Sequence, residues 1–308
     1  MPRKHILAFG NPVYDVISTP YLRRTDRVLS GCSTNACLAA AMLGETATLV
    51  GTVGEDYRAP MTVHLDRLGI LSSLYPSPQT GGFSLIYDDT GNRELSVLGV
   101  AEPIPAEADG FSPEVDIVLL GPILGEVSLE LVQEIKKRIS APILLDPQGL
   151  LRGLRDGQVV HEKTRAFSEI ARLSTIVKAN EVETHVVTGI DPRQQPDQAV
   201  QKLSEFGCQI AIVTLAEVGS VIYDGREIIH IPPYTTLAID PTGAGDTYAA
   251  GFMVKYLETP QDLRQVGCFA SSVASVMVEN SGPDFPLTRQ EAERRSEMLL
   301  SGPLALKL

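Results

Sequence analysis

Cysteine is sparse in this sequence of 308 residues, and no two cysteines stand in CxxC spacing. This excludes a dense disulfide framework and the usual paired-cysteine metal sites. We therefore expect a reduced, cytoplasmic protein in which each cysteine is a small buried hydrophobe. The opening residues, MPRKHILAFG, continue directly into a strand-like run, so no signal peptide is predicted. The four cysteines are Cys32, Cys37, Cys208 and Cys268.

Runs of basic residues and long apolar segments are also absent. The 26 Lys and Arg residues are scattered among 38 Asp and Glu, which gives a net charge of -12 at pH 7. General affinity for nucleic acid or an anionic membrane is therefore not expected. No apolar stretch reaches the ~18 residues of a membrane span. If the substrate is an anion, its attraction must be local, from helix N-termini, a few basic side chains or a metal ion.

What the sequence does contain is an alternation of strand-like runs and helix-length segments. This alternation is typical of an α/β fold with a mainly parallel sheet and helices on both faces. The carboxyl ends of such strands line the ligand crevice, so Asp146, Asn180 and Thr214 become candidate site residues. Four runs are apolar at both odd and even positions and are therefore predicted as central strands. They are 115–121, 141–146, 174–180 and 209–215.

Two segments break the alternation and are predicted as hairpins. One covers 81–98 with a turn at 89–92, and the other covers 219–232 with its turn at Asp224 and Gly225. A further short strand is predicted over 235–240, followed by a helix. With 44% hydrophobic residues, the chain has enough apolar material for one large domain with a small appendage.

The sequence DPTGAGD, residues 240–246, stands between that strand and that helix. Gly243 and Gly245 allow a sharp turn, which brings backbone N–H groups close to a ligand at a helix start, where anions bind. The plain alternative is a helix cap formed by Asp246. A dinucleotide-binding motif is disfavoured, because it would require Gly where Tyr248 stands. No Walker-type phosphate-binding motif occurs in the sequence.

Five blocks, in this order along the chain, resemble the ribokinase or PfkB-type carbohydrate kinase family. The resemblance extends over about residues 5–290 and implies a ribokinase-like three-layer sandwich with a mainly parallel central sheet. It also implies one domain over 1–308, with a small β lid from about 12–32 and 81–100. The blocks are Ser30 to Ala36, Gly51 to Asp56, Asn180 to Glu183, Val213 to Gly219 and Asp240 to Asp246.

The resemblance implies an ATP-dependent, Mg²⁺-requiring kinase that phosphorylates a hydroxyl of a sugar or polyol. In this family Asp246 would be the base that accepts the hydroxyl proton. The backbone N–H groups of Gly243, Ala244 and Gly245 would form an anion hole for the transferred phosphoryl group, which suits phosphoryl transfer. Asp240 would shape the loop or contact a monovalent cation such as K⁺.

The same resemblance assigns the ATP-binding residues. Asn180 and Glu183 would organise Mg²⁺ through water, although the same spacing forms a helix capping box. Thr214 and Gly219 would contact the nucleotide phosphates and ribose, with Ala216 in place of the usual glycine. The adenine would lie against Ala270, Ser271 and Gly282, where small residues at helical spacing are also explained by close helix packing.

The acceptor residues implied by the resemblance are Asp15, Gly31 and Asn35. The alternative for Asp15 is a turn residue, and the alternative for Asn35 is a helix N-cap. Gln148 and Arg93 are similar to members acting on inositol-like polyols.

Departures from the family pattern are Ser30 and Ala59, each in place of a glycine. Only 15 residues separate Asp15 from Gly31, which predicts a short lid there and leaves a monomer or a homodimer open. The alternatives are a nucleoside kinase of the same family and a ligand-binding relative without catalysis.

Overall fold

The fold is seen in a computed structural model that describes residues 2–23, 26–88, 93–155 and 158–302, without the side chain of Arg93. Within these residues fifteen strands form two sheets. The strands are β1 (His5–Phe9), β2 (Val13–Ser18), β3 (Val28–Ser30), β4 (Thr46–Gly54), β5 (Leu71–Ser77), β6 (Gly81–Tyr87), β7 (Arg93–Gly99), β8 (Ile117–Leu120), β9 (Ile143–Leu145), β10 (Arg152–Arg155), β11 (Gln158–His161), β12 (Ile176–Asn180), β13 (Ile210–Thr214), β14 (Ser220–Tyr223) and β15 (Ile228–Ile231).

Nine α-helices connect these strands in the described part of the chain. None of the helices in that part combines the length and the apolar character needed to cross a membrane. The helices are α1 (Cys32–Met42), α2 (Glu55–Arg67), α3 (Leu129–Arg138), α4 (Arg165–Leu173), α5 (Glu181–Thr188), α6 (Pro196–Ser204), α7 (Ala244–Tyr256), α8 (Leu263–Val278) and α9 (Arg289–Ser301).

The central layer is a nine-stranded sheet in the order β15-β14-β13-β12-β9-β8-β1-β4-β5. Its pairs are parallel from β13 through β5. The hairpin of β14 and β15 extends it antiparallel at one edge. The predicted α/β fold, its central strands and the hairpin over 219–232 are confirmed.

Both faces of the central sheet are buried, which explains why its strands are apolar on both parities. In β1, Ile6 and Ala8 pack with α1, α7 and α8, whereas Leu7 and Phe9 pack on the opposite face with α3 and α4. Alternate residues of a strand point to opposite faces, so each strand contributes to two cores. The three-layer arrangement follows directly from this pattern.

The second sheet is six-stranded, in the order β10-β11-β7-β6-β2-β3. The segments predicted as a lid, 12–32 and 81–100, supply four of these strands. The sequence analysis missed the hairpin of β10 and β11, which adds to the edge of β7 through a single bridge, Gln158 with Ser96. The predicted turn at 89–92 lies outside the described residues.

The short strand predicted over 235–240 is wrong. This segment has no strand partner among the described residues and runs as irregular backbone. The backbone N–H groups of Ile239 and Asp240 instead both donate to the carbonyl oxygen of Val278, at 2.7 and 3.1 Å. The end of α8 therefore anchors the chain immediately before the DPTGAGD segment.

Candidate active site

A cleft of about 1070 Å³ lies between the two sheets. The carboxyl ends of β9, β12 and β13 and the start of α7 form one side of it, and the second sheet forms the other. Most of the residues implied by the family resemblance line this cleft together. They are Asp15, Gly31, Gln148, Asn180, Glu183, Thr214, Gly219, Gly243, Ala244, Gly245, Asp246 and Ser271.

Four implied residues do not line the cleft, and a fifth is not described. Asn35 is buried beside the DPTGAGD segment and hydrogen-bonded to its Asp246. Asp240 is buried within the segment and hydrogen-bonded to its Thr242. Ala270 is buried where α7 crosses α8, since a Cβ placed at Gly251 would lie 3.0 Å from its Cα. Gly282 follows α8 outside the lining. The side chain of Arg93 lies outside the described residues.

The DPTGAGD segment forms the N-terminus of α7. Gly243 caps the helix with φ 81°, and a Cβ there would lie 3.0 Å from Nδ2 of Asn35. A side chain at this position would be strained and would press on its neighbour.

The N–H of Ala244 donates to the carbonyl of Pro241 at 3.2 Å, whereas those of Gly243 and Gly245 have no acceptor in the described residues. Gly243 and Gly245 both line the cleft, so their N–H groups remain available to a ligand at the positive end of the helix.

Asp246 lies in the first turn of α7, where a hydrogen bond from Asn35 fixes its carboxylate. Nδ2 of Asn35 donates to its Oδ2 at 2.8 Å. Burial, followed by the charge of Asp146, raises the pKa of Asp246 above its ordinary value, while Lys178 and the hydrogen bond from Asn35 act in the opposite direction. A carboxylate with a raised pKa is suited to accept a proton near neutral pH. The hydrogen bond from Asn35, a residue that the resemblance implies as an acceptor ligand, orients Asp246.

The floor of the cleft holds a buried ion pair that the sequence analysis missed. Nζ of Lys178, in β12, contacts Oδ2 of Asp146, and both side chains are almost fully buried. The sequence predicts Asp146 as a candidate site residue only from its position directly after β9. A signal was available, because Lys178 is the single charge inside the strand IVKAN, which is buried on both faces.

Asn180 and Glu183 form the capping box that was the alternative interpretation. Oε2 of Glu183 accepts the N–H of Asn180 at 2.8 Å, and Oε1 accepts Nδ2 of Asn180 at 2.7 Å. The N–H of Glu183 donates back to Oδ1 of Asn180 at 3.0 Å. Burial, and then the negative charge of Asp146, raises the pKa of Glu183 to about 7. Such a shift in a cleft is typical of a functional carboxylate.

Glu183, which is expected to organise magnesium, lines the cleft with a carboxylate of the kind that this hard cation prefers. Both oxygens of Glu183 already accept hydrogen bonds from Asn180, so contact with an ion through water is favoured over direct ligation. A second group, Sγ of Cys32 with oxygens of Asp146 and Asp246, lies within 4.8 Å. A thiol suits softer metals, and Asp146 is already paired with the ammonium of Lys178, so this group does not fit magnesium.

The donor end of the cleft lies between β13 and α8. Thr214 ends β13, and Ala216 follows with φ 47°, the single positive φ among described residues other than glycine. This strain explains why a glycine is usual there. Four residues on one face of α8 line the cleft, namely Ser271, Ala274, Ser275 and Val278. Only Ser271 among them was expected from the sequence.

The acceptor end lies under the second sheet. Asp15 is buried in β2, and Oε1 of Gln148 accepts a hydrogen bond from Arg152 at 2.7 Å. Arg152 was missed because it belongs to the unpredicted hairpin. A cluster of apolar side chains on the same side, here named the acceptor wall, consists of Val13, Phe83, Leu85, Leu95 and Ile123.

Two side-chain contacts join the second-sheet side of the cleft to residues at the start of the DPTGAGD segment. The hydroxyl of Thr19 donates to the carbonyl of Ile239 at 3.1 Å, and the hydroxyls of Tyr87 and Thr242 are 3.0 Å apart. Both contacts cross the cleft beside the DPTGAGD segment, so the second sheet is closed over it.

Asp240 is a fully buried carboxylate. Its oxygens accept the N–H of Thr242 at 2.9 Å and the hydroxyl of Ser281 at 2.6 Å. No Lys, Arg or His pairs with it within the described ranges. Buried charges are normally paired or bound to a metal ion.

The sheet order, the cleft at the strand ends and the half-buried carboxylate at a helix start define a phosphotransferase of the ribokinase fold. The chain belongs to the pfkB family of carbohydrate kinases, whose model matches residues 3–290. Members of this family phosphorylate sugars or nucleosides, and this chain is a kinase of that kind. The family resemblance and the fold expected from it are confirmed.

Relatives in sequence and in structure cover nearly the whole chain. A nucleoside kinase of Methanothermobacter thermautotrophicus is 27% identical over 94% of this chain and 95% of its own length.

A pyrophosphate-dependent kinase in the ribokinase family, solved as a sulfate complex, has a TM-score of 0.80 at 20% identity, covering 94% of this chain and 99% of that one. The structure of such a kinase with a pyrophosphate analog and myo-inositol has a TM-score of 0.76, with the same identity and coverage.

Two further structures carry other acceptors. The nucleoside kinase of Burkholderia thailandensis in complex with inosine has a TM-score of 0.75 at 23% identity, covering 96% of this chain and 98% of that one. The ribokinase of Arabidopsis thaliana, complexed with ribose and ATP, has a TM-score of 0.73 at 23% identity, covering 96% and 99%. At these identities the likeness shows the shared fold.

Proposed function

We propose that this chain transfers the γ-phosphoryl group of ATP to a hydroxyl of a sugar or polyol, including inositol-like polyols. One observation supports this most strongly. The half-buried carboxylate of Asp246 lies in the first turn of α7 and lines the same cleft as Asp15. Next to it are the N–H groups of Gly243 and Gly245, which have no acceptor among the described residues. A base, an anion hole and a hydroxyl-binding carboxylate thus share one space.

In the proposed reaction the acceptor hydroxyl oxygen attacks the γ-phosphorus while the bond to the β,γ-bridging oxygen breaks. The hydroxyl proton passes to Asp246, and ADP leaves with the bridging oxygen. Backbone donors fixed at a helix start need no reorganisation as charge develops, and one such donor lowers the barrier by about 3 to 4 kcal/mol. Asn35 holds Asp246 in place for the proton transfer.

ATP is favoured as donor because the cleft extends along α8 past small side chains to Thr214 and Gly219. A relative of the same fold binds ATP together with ribose. Magnesium would be held through water by Glu183 and would neutralise charge on the donor phosphates. A monovalent cation would compensate the buried charge of Asp240.

Inositol-like acceptors are supported by Gln148, whose oxygen is held by Arg152 so that its amide nitrogen serves as a donor. Asp15 supplies acceptor oxygens for hydroxyls at the same end. The structural neighbour that binds myo-inositol has the same fold.

A nucleoside acceptor is the second candidate, and the acceptor wall favours it. Its five side chains offer an apolar surface to a planar base, whereas a polyol would leave that surface without matching groups. The sequence relative that is 27% identical is a nucleoside kinase.

The test is an acceptor panel of sugars, inositols and nucleosides, with ADP production as readout and each assay run with and without Mg²⁺ and K⁺. Asp246→Asn should lower kcat about 10²- to 10⁴-fold on the acceptor that the chain uses, because the base is lost. Near-wild-type kcat in this variant would show that the base is wrongly assigned. Tight binding without ADP production by the wild-type chain would instead indicate a relative that has lost catalysis.

A further inference from the structure

The cleft contains three cationic side chains among its described lining residues, and they differ in position. Arg193 lies at the rim, where its guanidinium is paired with Glu181 and Glu217. Arg152 is hydrogen-bonded to Gln148 at the acceptor end. Lys178 alone lies at the floor between the two ends. In a chain of net charge -12, a cation at this place requires an explanation.

Lys178 reaches the start of α7. It is only 2% exposed, yet it lines the cleft. A Cβ placed on Gly245 would lie 3.0 Å from its Nζ, so the ammonium lies directly beside the predicted anion hole. An ammonium has three N–H donors, and the structure gives this one a single acceptor among the described residues, Oδ2 of Asp146.

Asp146 fixes both the position and the charge of this lysine. Burial opposes the charged form, but the carboxylates of Asp146 and Glu183 outweigh it and raise the pKa of Lys178 above its ordinary value. These carboxylates therefore favour the protonated, positively charged form of Lys178. The backbone N–H of Gln148 donates to the other oxygen of Asp146 at 3.3 Å, which helps to hold that carboxylate.

We propose that Lys178 binds the transferred phosphoryl group directly, together with the N–H groups of Gly243 and Gly245, and that Asp146 is its positioning residue. This inference rests on the proposed phosphoryl transfer. Lys178 keeps its proton while the acceptor proton goes to Asp246, and it donates hydrogen bonds to a non-bridging oxygen of the phosphoryl group. Fixed positive charge at this place stabilises the charge on those oxygens.

The competing explanation is that Lys178 only neutralises Asp146. A buried carboxylate that loses its partner is strongly destabilising, whereas replacing both partners by apolar residues is often tolerated. The pair of variants Lys178→Met and Lys178→Met/Asp146→Leu separates the two explanations. A lysine that only neutralises Asp146 becomes dispensable in the double variant. A lysine that binds phosphate stays essential there.

The first measurement is turnover on the acceptor found by the panel. Lys178→Met and the double variant should both lose about 10²- to 10³-fold in kcat, and Lys178→Arg should recover part of it. Lys255→Gln is the control, because Lys255 is also a partly buried, ion-paired lysine but lies far along α7, paired with Glu258. It should keep wild-type kcat. Recovery of wild-type kcat in the double variant, confirmed as folded by circular dichroism, would overturn the proposal.

The second measurement uses binding alone and does not depend on the acceptor or on the base. By isothermal titration calorimetry, the affinity of the double variant for β,γ-methylene-ATP should fall about tenfold, since a hydrogen bond to a charged group is lost. Its affinity for ADP should change less than about twofold, because ADP lacks the γ-phosphate contacted by Lys178. Equal losses for both nucleotides would contradict the proposal, even if Asp246 proves to be the base. If Asp246→Asn retained activity while this difference persisted, only the base assignment would fail.

Discussion

The two sides of the cleft are built in opposite ways. The catalytic side consists of Asp146, Lys178, Glu183, Gly243 and Asp246, which are charged or expose backbone and lie at the ends of rigid central strands and at a helix start. The acceptor wall is apolar, and all of it except Ile123 lies on a sheet assembled from three separate stretches of the chain.

This difference separates the reaction from the choice of substrate. Phosphoryl transfer requires fixed charges and donors, and these come from short, contiguous segments. Acceptor recognition requires a surface of the right shape, which can change residue by residue without disturbing the transfer chemistry. The predictions below test whether the two sides are as independent as their construction indicates.

The largest effect in this series is expected from Gly243→Ala on the catalytic side. An added Cβ at φ 81°, 3.0 Å from Nδ2 of Asn35, would shift the helix start, so kcat should fall about 10²-fold as an anion-hole donor is misplaced. Steady-state kinetics on the acceptor will measure this.

Gly189→Ala is the matched control for this variant. Gly189 has φ 74° at the end of α5, with no atom within 4 Å of an added Cβ. Both variants should lose about 1 to 2 kcal/mol of stability from the left-handed backbone, but Gly189→Ala should keep its kcat. A comparable loss of activity in both would show that strain, and not the anion hole, is responsible.

Asn35→Ala is expected to move the acid limb of the pH–rate profile. The hydrogen bond from Asn35 favours the ionised form of Asp246, so its removal raises the pKa of Asp246 further. The active, ionised base exists above this pKa and is lost as the pH falls through it. The acid limb of kcat should therefore shift to higher pH by about one unit. An unshifted limb with a raised acceptor KM would instead support Asn35 as an acceptor ligand.

Phe83→Leu should affect the acceptor wall alone. Losing the ring should raise KM for nucleosides about three- to tenfold if a base packs there, with KM for ATP and kcat nearly unchanged. Phe111→Leu is the control, because Phe111 packs edge-on against Phe9 outside the cleft. A large fall in kcat in Phe83→Leu would show that the two sides are coupled.

The smallest effect is expected from Ala216→Gly at the donor end. Relief of the strained φ of 47° is offset by the greater freedom of glycine in the unfolded chain, so Tm should change by less than about 2 °C. Differential scanning calorimetry will measure this change. A much larger gain in Tm would mean that Ala216 distorts the turn around Gly219.

Local signals in the sequence predicted the backbone structure at two places on the catalytic side. The glycines of DPTGAGD and the spacing of Asn180 and Glu183 determine a turn and a cap from neighbouring residues alone, so the sequence identifies them. The carboxyl ends of the central strands were equally accessible, because strands that are apolar on both parities belong in a parallel sheet.

The features that could not be predicted from the sequence depend on contacts between residues that are distant along the chain. Lys178 and Asp146 are 32 residues apart and meet only because β9 and β12 are neighbours in the sheet. The hairpin of β10 and β11 has short, half-exposed strands that lack the alternation of apolar and polar residues by which a strand is predicted. The segment 235–240 has strand-like residues but lacks a partner strand, and tertiary contacts override such local preference.

The hydrogen bonds of Thr19 and Tyr87 tie the second sheet to the residues around the start of DPTGAGD. The N–H groups of Ile239 and Asp240 tie the same residues to Val278 at the end of α8. The segment before Gly243 is therefore supported from two sides. A movement of the second sheet away from the cleft would break the first support and leave the second, so the N-terminus of α7 would keep its anchor to α8 in an open cleft.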